Sequence, residues 1–132
     1  MTNQANLGER NIVAFVPIVD AATARSFYGA VLGLKLIEQE LPFAVVFDAH
    51  GTTLRLTLVG EFAPAPWTVL GWDVPDLEAA VCRLESAGVR FERYEWMKQD
   101  EQGIWSSPSG AKVAWFKDPD GNVLSLSQVE GQ

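Results

Sequence analysis

The sequence is poor in the residues that most often carry chemistry. Among 132 residues there is one histidine, His50, and one cysteine, Cys82. A single cysteine excludes an intrachain disulfide, and nothing points to an oxidising compartment. No histidine lies near Cys82 in the chain to activate it, and it sits beside the apolar stripe of a helix, where packing or simple exposure accounts for it. His50 falls in a turn. No apolar run reaches the ~18 residues of a membrane span, and the opening MTNQANLGER lacks a signal-peptide apolar core. A cytoplasmic location is therefore expected. The glycine loops that cradle phosphates, G-x-G-x-x-G and the P-loop, are both absent. Basic residues are outnumbered, with 10 Lys and Arg against 17 Asp and Glu, for a net charge of −7. That balance argues against nucleic acid or an anionic membrane as a partner. It aids solubility and is compatible with a cationic ligand.

What is present is an ordinary globular composition, 48% hydrophobic and 20% charged, in a chain long enough to bury a core without staples. Ile12 to Val19 reads as a strand. Asp20 is placed to cap a helix whose stripe is Ala24, Phe27, Tyr28 and Val31, and Gly33 to end it. Leu34 to Glu38, Phe43 to Asp48 and Thr53 to Val59 read as three more strands, with a turn at Ala49-His50-Gly51. Phe62-Ala63-Pro64-Ala65-Pro66 is the one proline-rich stretch and reads as a linker.

The second half repeats the first. Val69 to Val74 is a strand. Asp76 caps a helix with the stripe Leu77, Ala80, Val81 and Leu84, and Gly88 ends it. Val89 to Trp96 is expected as the sixth strand. Val113 to Phe116 and Val123 to Gln128 are the last two, joined by Asp118-Pro119-Asp120-Gly121-Asn122, in which proline and glycine supply the turn dihedrals. Asp118 and Asp120 are turn formers here, and Glu85, Glu92 and Glu95 are solvated. Ala14, Val16 and Ile18 map onto Leu70, Trp72 and Val74 at a constant offset of 56, as Asp20 maps onto Asp76. The expected domain, residues 1–132, is an α+β fold of two βαβββ modules of about 55 to 60 residues each. Module 1 covers about 10–60, the linker 61–66 and module 2 about 67–130.

Each helix must cover one sheet face, so that face is apolar and strand alternation assigns the other. The uncovered side then receives Phe15 with Val13 and Pro17, Thr53, Arg55 and Thr57, Val69, Gly71 and Asp73, Val113, Trp115 and Lys117, and Ser125 and Ser127. A concave surface mixing apolar, hydroxyl and one guanidinium group suits a small molecule. Arg55 either anchors an anionic oxygen of a ligand, with Trp115 and Phe15 stacking on its apolar part, or forms an internal ion pair with Asp73. Met97 to Ala111 is long for a connection between strands, and its Trp105 reads as a lid, a subunit contact or packing.

The hairpin KVAWFKDPDGNVLSLSQ, with FVPIVDAATARSFYGAVLGLKL near the start, resembles the vicinal oxygen chelate superfamily of glyoxalases, bleomycin-resistance proteins and extradiol dioxygenases. The resemblance implies that the two modules join their sheets into an open eight-stranded cup; such a cup leaves strand edges needing cover, so a homodimer is expected. Metal-dependent members take one ligand from each of four strands. Those positions fall on Val13, Arg55, Val69 and Ser125, none of them a normal ligand, and a shift of one residue gives Ala14, Leu54, Leu70 and Leu124. No metal and no cofactor are therefore expected, and no catalytic residue is identified. Two function classes remain: a metal-free binding protein that sequesters a small ligand, which is the reading adopted, and a lyase, isomerase or dioxygenase-type enzyme. The expected ligand-binding set is Phe15, Thr53, Arg55, Thr57, Val69, Asp73, Trp105, Val113, Trp115 and Ser125.

Overall fold

The computed structural model describes residues 6–129. The chain divides into two compact units, one ending at Gly60 and one beginning at Glu61. Each has the order strand, helix, three strands.

In the first unit, β1 (Val13–Ile18), β2 (Lys35–Glu40), β3 (Ala44–Ala49) and β4 (Thr52–Leu58) form one sheet in the order β1-β4-β3-β2. The crossover through the helix makes β1 parallel to β4, and the remaining pairs are antiparallel hairpin neighbours. The helix α1 (Ala21–Arg25) starts where Asp20 Oδ2 accepts from the Thr23 backbone at 2.8 Å and from its hydroxyl at 2.6 Å. The hydroxyl first and then the backbone N–H hold the Asp20 carboxyl below its usual range. The helix then widens over Ser26–Val31, where Leu32 N–H reaches back to the Phe27 carbonyl. Gly29 permits this segment to lie on the sheet, because a Cβ there would stand 3.4 Å from the Phe47 ring. Tyr28 and Phe47 are fully buried with Val16, Ile18, Leu54 and Leu56. The β3–β4 turn places both His50 and Gly51 at positive φ, the conformation a two-residue hairpin needs.

In the second unit, β5 (Thr68–Asp73), β6 (Trp105–Ser106), β7 (Lys112–Lys117) and β8 (Val123–Gln128) are ordered β5-β8-β7-β6. The helix α2 (Leu77–Ser86) is capped by Asp76, whose carboxylate accepts from Ala79 N–H at 3.1 Å, and buries Leu77, Val81 and Leu84. The β7–β8 turn is organised by Asp118. Its Oδ1 accepts from Asp120 N–H and Asn122 N–H, each at 2.9 Å, and its Oδ2 accepts from the Asn122 amide at 2.9 Å. Asp118 and Asn122 are buried while making these bonds, so the turn-forming reading of that aspartate holds.

One strand differs from expectation. Val89 to Trp96 does not form the sixth strand. Phe91 makes a single bridge to Phe116, Glu92 N–H bonds to the Trp115 carbonyl, and the chain then leaves the sheet and returns only at Trp105–Ser106. The cause is a side chain. Gln99 Oε1 accepts from Tyr94 N–H at 2.8 Å, and Gln99 Nε2 donates to the Glu92 carbonyl at 3.0 Å. Those are backbone groups a continuing ladder would use. The expected strand end at Glu38 also moves, since β2 runs on to Glu40.

Register makes the two units comparable row by row. Across the covered face, Ala14, Leu54, Phe47 and Leu36 form one row of the first unit, and Leu70, Leu124, Phe116 and Phe91 form its counterpart. Leu36 and Phe47 are 11 positions apart and Phe91 and Phe116 are 25 apart, so the second unit carries 14 more residues at this point. In the first unit the same place, just after Leu36, holds only a bulge at Ile37.

Candidate functional site

The uncovered face of the first unit is organised by an interior strand and an ion pair. Register puts Phe15, Arg55, Val46 and Glu38 in one row, Val13, Thr53, Asp48 and Lys35 in the next, and Pro17, Thr57, Ala44 and Glu40 in the third. The structure thus brings Phe15, Thr53, Arg55 and Thr57 onto one face, with Val13. Phe15 is 63% exposed. Arg55 reaches diagonally over β3, and its Nη2 donates to Glu40 Oε1 at 2.7 Å, with the two side chains 32% and 38% exposed. The guanidinium holds the Glu40 carboxyl below its usual range, first by the hydrogen bond and then by its charge. The same hydrogen bond raises Arg55. The ion pair of Arg55 is therefore made to a residue of its own sheet. Glu40 was placed outside any strand by the sequence pattern.

The uncovered face of the second unit is aromatic. Asp73, Ser127, Val113 and Trp105 share one row, and Gly71, Ser125 and Trp115 the next. The face thus gathers Asp73, Val113, Ser125, Trp105 and Trp115. Val69 lies at a register shift between Thr68 and Leu70, so alternation does not apply to it. Gly71 and Ser125 keep the ground beside Trp115 low. A Cβ at position 71 would lie 2.7 Å from Ser125 Oγ, which any side chain there would displace.

Four rings run across this face. Trp105 stands 6.3 Å from Trp115, Trp115 meets Tyr94 edge-on at 5.8 Å, and Tyr94 meets Trp96 at 5.8 Å with 36° between planes. Trp105 belongs to β6 and packs on Trp115, so it is not the tip of a loop. A hollow of about 280 Å³ opens between these rings and the start of the unit, lined by Pro66, Trp67, Thr68, Tyr94, Trp96, Met97, Trp115 and Val123. Trp96 is 80% exposed and Trp67 68%. A second hollow of about 340 Å³ shares Pro66, Tyr94 and Val123 with it and carries Glu92 and Lys117. That pair approaches to 3.7 Å, too far for a hydrogen bond. Burial first, and then the Glu92 charge, push the Tyr94 hydroxyl above its usual range. Sequence reasoning missed Trp67, Tyr94, Trp96 and Met97. The alternation of Tyr94 and Trp96 around Glu95 was a signal, and it was absorbed into a strand.

Among the described residues, no group of three or more His, Cys, Asp or Glu side chains is placed to hold a metal ion, and no helix is long and apolar enough to cross a membrane. Cys82 is exposed, and its sulfur accepts from the Gln102 amide at 3.4 Å.

Compared with known proteins, residues 11–126 match the model of the Glyoxalase/Bleomycin resistance protein/Dioxygenase superfamily. No curated protein matches the sequence. Among solved structures, the chain is similar to TnmS3, an antibiotic binding protein from Streptomyces sp. CB03234, at 25% identity and a TM-score of 0.71, covering 92% of this chain and 97% of that one. It is similar to a member of the same superfamily from Sphaerobacter thermophilus DSM 20745 at 25% identity and a TM-score of 0.70, over 90% and 96% of the two chains. A lactoylglutathione lyase from Agrobacterium tumefaciens shares the fold at 16% identity and a TM-score of 0.70, over 91% and 93%.

Proposed function

The chain belongs to the Glyoxalase/Bleomycin resistance protein/Dioxygenase superfamily, and on that premise we propose that it is a metal-free protein that binds and sequesters a small, partly aromatic molecule. The observation that carries this reading is the aromatic hollow of the second unit, lined by Trp67, Tyr94, Trp96 and Trp115 without a charged side chain. Ligand sites are concave and mostly apolar, with aromatic walls, and aromatic rings gain by stacking on flat partners. The antibiotic-binding relative at 25% identity supports the same class.

The four positions at which metal-dependent members hold a divalent cation do not fit one here. Val13 and Val69 offer no donor atom, Ser125 offers a neutral hydroxyl, and Arg55 places a permanent cation that is already bonded to Glu40. The enzyme reading has no donor set of that kind to work with. Arg55 has guanidinium N–H groups beyond the one given to Glu40, and in this reading they can donate to an anionic oxygen on the uncovered face of the first unit.

The protein is read as a cytoplasmic homodimer. Leu36, Ile37 and Phe43, on and beside the edge strand β2, are exposed, and an apolar edge of this sort calls for cover.

The test uses protein dialysed against a chelator. Tryptophan fluorescence is titrated with a set of uncharged planar aromatic compounds, and the bound compound is recovered after denaturation. Quenching without added metal and recovery of the unchanged compound are expected. Recovery of a chemically altered compound, or binding only after one equivalent of divalent metal is restored, would overturn the reading. The same sample in sedimentation equilibrium is expected at twice the 14.5 kDa chain mass, and a monomer mass removes the dimer.

A further inference from the structure

The segment that leaves the sheet after Glu92 is fastened to itself. Gln99 uses its whole amide: Oε1 accepts from Tyr94 N–H at 2.8 Å, and Nε2 donates to the Glu92 carbonyl at 3.0 Å and the Gly103 carbonyl at 2.7 Å. Arg93 Nη1 donates to the Asp100 carbonyl at 2.6 Å, and Nη2 donates to the Glu101 carbonyl. Asp100 Oδ1 accepts from Gln102 N–H and Ile104 N–H, both at 2.9 Å. Ile104 is buried beneath the segment. A loop built this way is not a slack lid. It is a wall with the half-buried Tyr94 ring and the exposed Trp96 ring already set in position.

The wall carries Tyr94, Trp96 and Met97, and these with Trp67 and Trp115 make the hollow. Exposed indoles lose rotamer freedom when a ligand stacks on them, and a wall that must also be ordered loses backbone freedom as well. Fixing Tyr94 N–H and the Glu92 carbonyl to one amide removes the second cost before the ligand arrives.

Resting on the binding reading above, we infer that Gln99 is the positioning residue of this site, and that the slot it sets takes a flat, uncharged, fused-ring molecule. The ligand class follows from the lining. Tyr94 and Trp96 are inclined at only 36°, which suits a planar body, and no charged side chain lines the hollow to pair with an ion. The ligand's polar edge points toward the second hollow, where the Lys117 ammonium donates and the Glu92 carboxylate accepts.

The probe pair is 2-naphthol and its saturated counterpart 2-decalol, equal in ring count and both uncharged, measured by calorimetry. The native protein is expected to bind 2-naphthol about two- to tenfold more tightly than 2-decalol, because aromatic stacking adds to burial. Gln99→Leu is expected to weaken 2-naphthol about tenfold and to speed hydrogen exchange at the Tyr94 amide. Asp76→Ala removes a helix cap of the same unit, so it lowers stability by a comparable amount and is expected to leave 2-naphthol affinity unchanged. Equal affinity for native protein and Gln99→Leu, or equal loss in both variants, overturns the positioning role while the proposed function stands. Equal binding of the two probes, or no binding of 2-naphthol, overturns the ligand class. The proposed function itself falls only if chelator-treated protein fails with the whole aromatic set or alters what it binds.

Discussion

On the uncovered face of the first unit the central row reads Phe15, Arg55, Val46 and Glu38, with Arg55 tied to Glu40 at 2.7 Å. On the second unit the equivalent row reads Gly71, Ser125 and Trp115, and the fourth place is taken by a segment bearing Tyr94 and Trp96. Strand order, crossover and helix capping are the same in both. What differs is a phenylalanine exchanged for a glycine, a cation for a hydroxyl and a valine for a tryptophan, with 14 residues added after the apolar row. A repeated scaffold therefore keeps the covered face apolar and changes the chemistry of the other. Packing constrains the covered face, since a change of even one methylene there is felt. Solvent-facing positions and edge strands tolerate insertion.

The largest effects should fall on the faces that match. Phe47→Ala and Phe116→Ala each remove a fully buried ring from the same row of the two sheets. Each is expected to cost about 3–5 kcal/mol in denaturant unfolding. A cost under ~1 kcal/mol for either would mean that the rows are not equivalent cores.

The smallest effect should fall on the ionic face. Arg55→Met breaks a pair that is about one-third exposed on each side, and solvent screens such pairs, so the melting temperature is expected to change by about 3 °C or less. Its pH dependence has a defined sign. The Glu40 carboxyl is held low in the folded protein, so its contribution is present above the unfolded carboxylate value and is lost as pH falls through the folded one. Arg55→Met should therefore lose that small contribution near neutral pH, leave stability in acid almost unchanged, and so flatten acid destabilisation. A variant whose stability falls equally at neutral and acid pH would make Arg55 a packing residue instead.

Much of this was legible in the sequence because local rules and packing agree there. Asp20 and Asp76 cap their helices through hydrogen bonds to Thr23 and Ala79, and Gly33 and Gly88, past the helix ends, take positive φ. The alternation in Thr53 to Leu58 sorts Leu54 and Leu56 into the core and leaves Arg55 on the other face. The failures lie where a side chain competes with the ladder or where periodicity carries no information. The Tyr94-Glu95-Trp96 alternation looks like a strand, but the Gln99 amide, a few residues on, takes hydrogen bonds that a strand would use. β3 is buried on both faces over Ala44 to Phe47, so its pattern could not tell one face from the other. The β2 bulge at Ile37 hid Glu40, and with it the partner of Arg55.

The central claim is that small molecules bind on the uncovered aromatic face of the second unit. The five tryptophans of the chain test it in one experiment. Four of them, Trp67, Trp96, Trp105 and Trp115, line or adjoin the hollow, while Trp72 pairs with Leu126 on the helix-covered side. In a nitrogen-labelled sample titrated with 2-naphthol, the indole N–H resonances of Trp67, Trp96 and Trp115 are expected to move together. Trp105 should move less and Trp72 should stay in place. Shifts confined to Trp72, or to amides of the first unit around Phe15 and Arg55 with the hollow's indoles unmoved, would contradict the account.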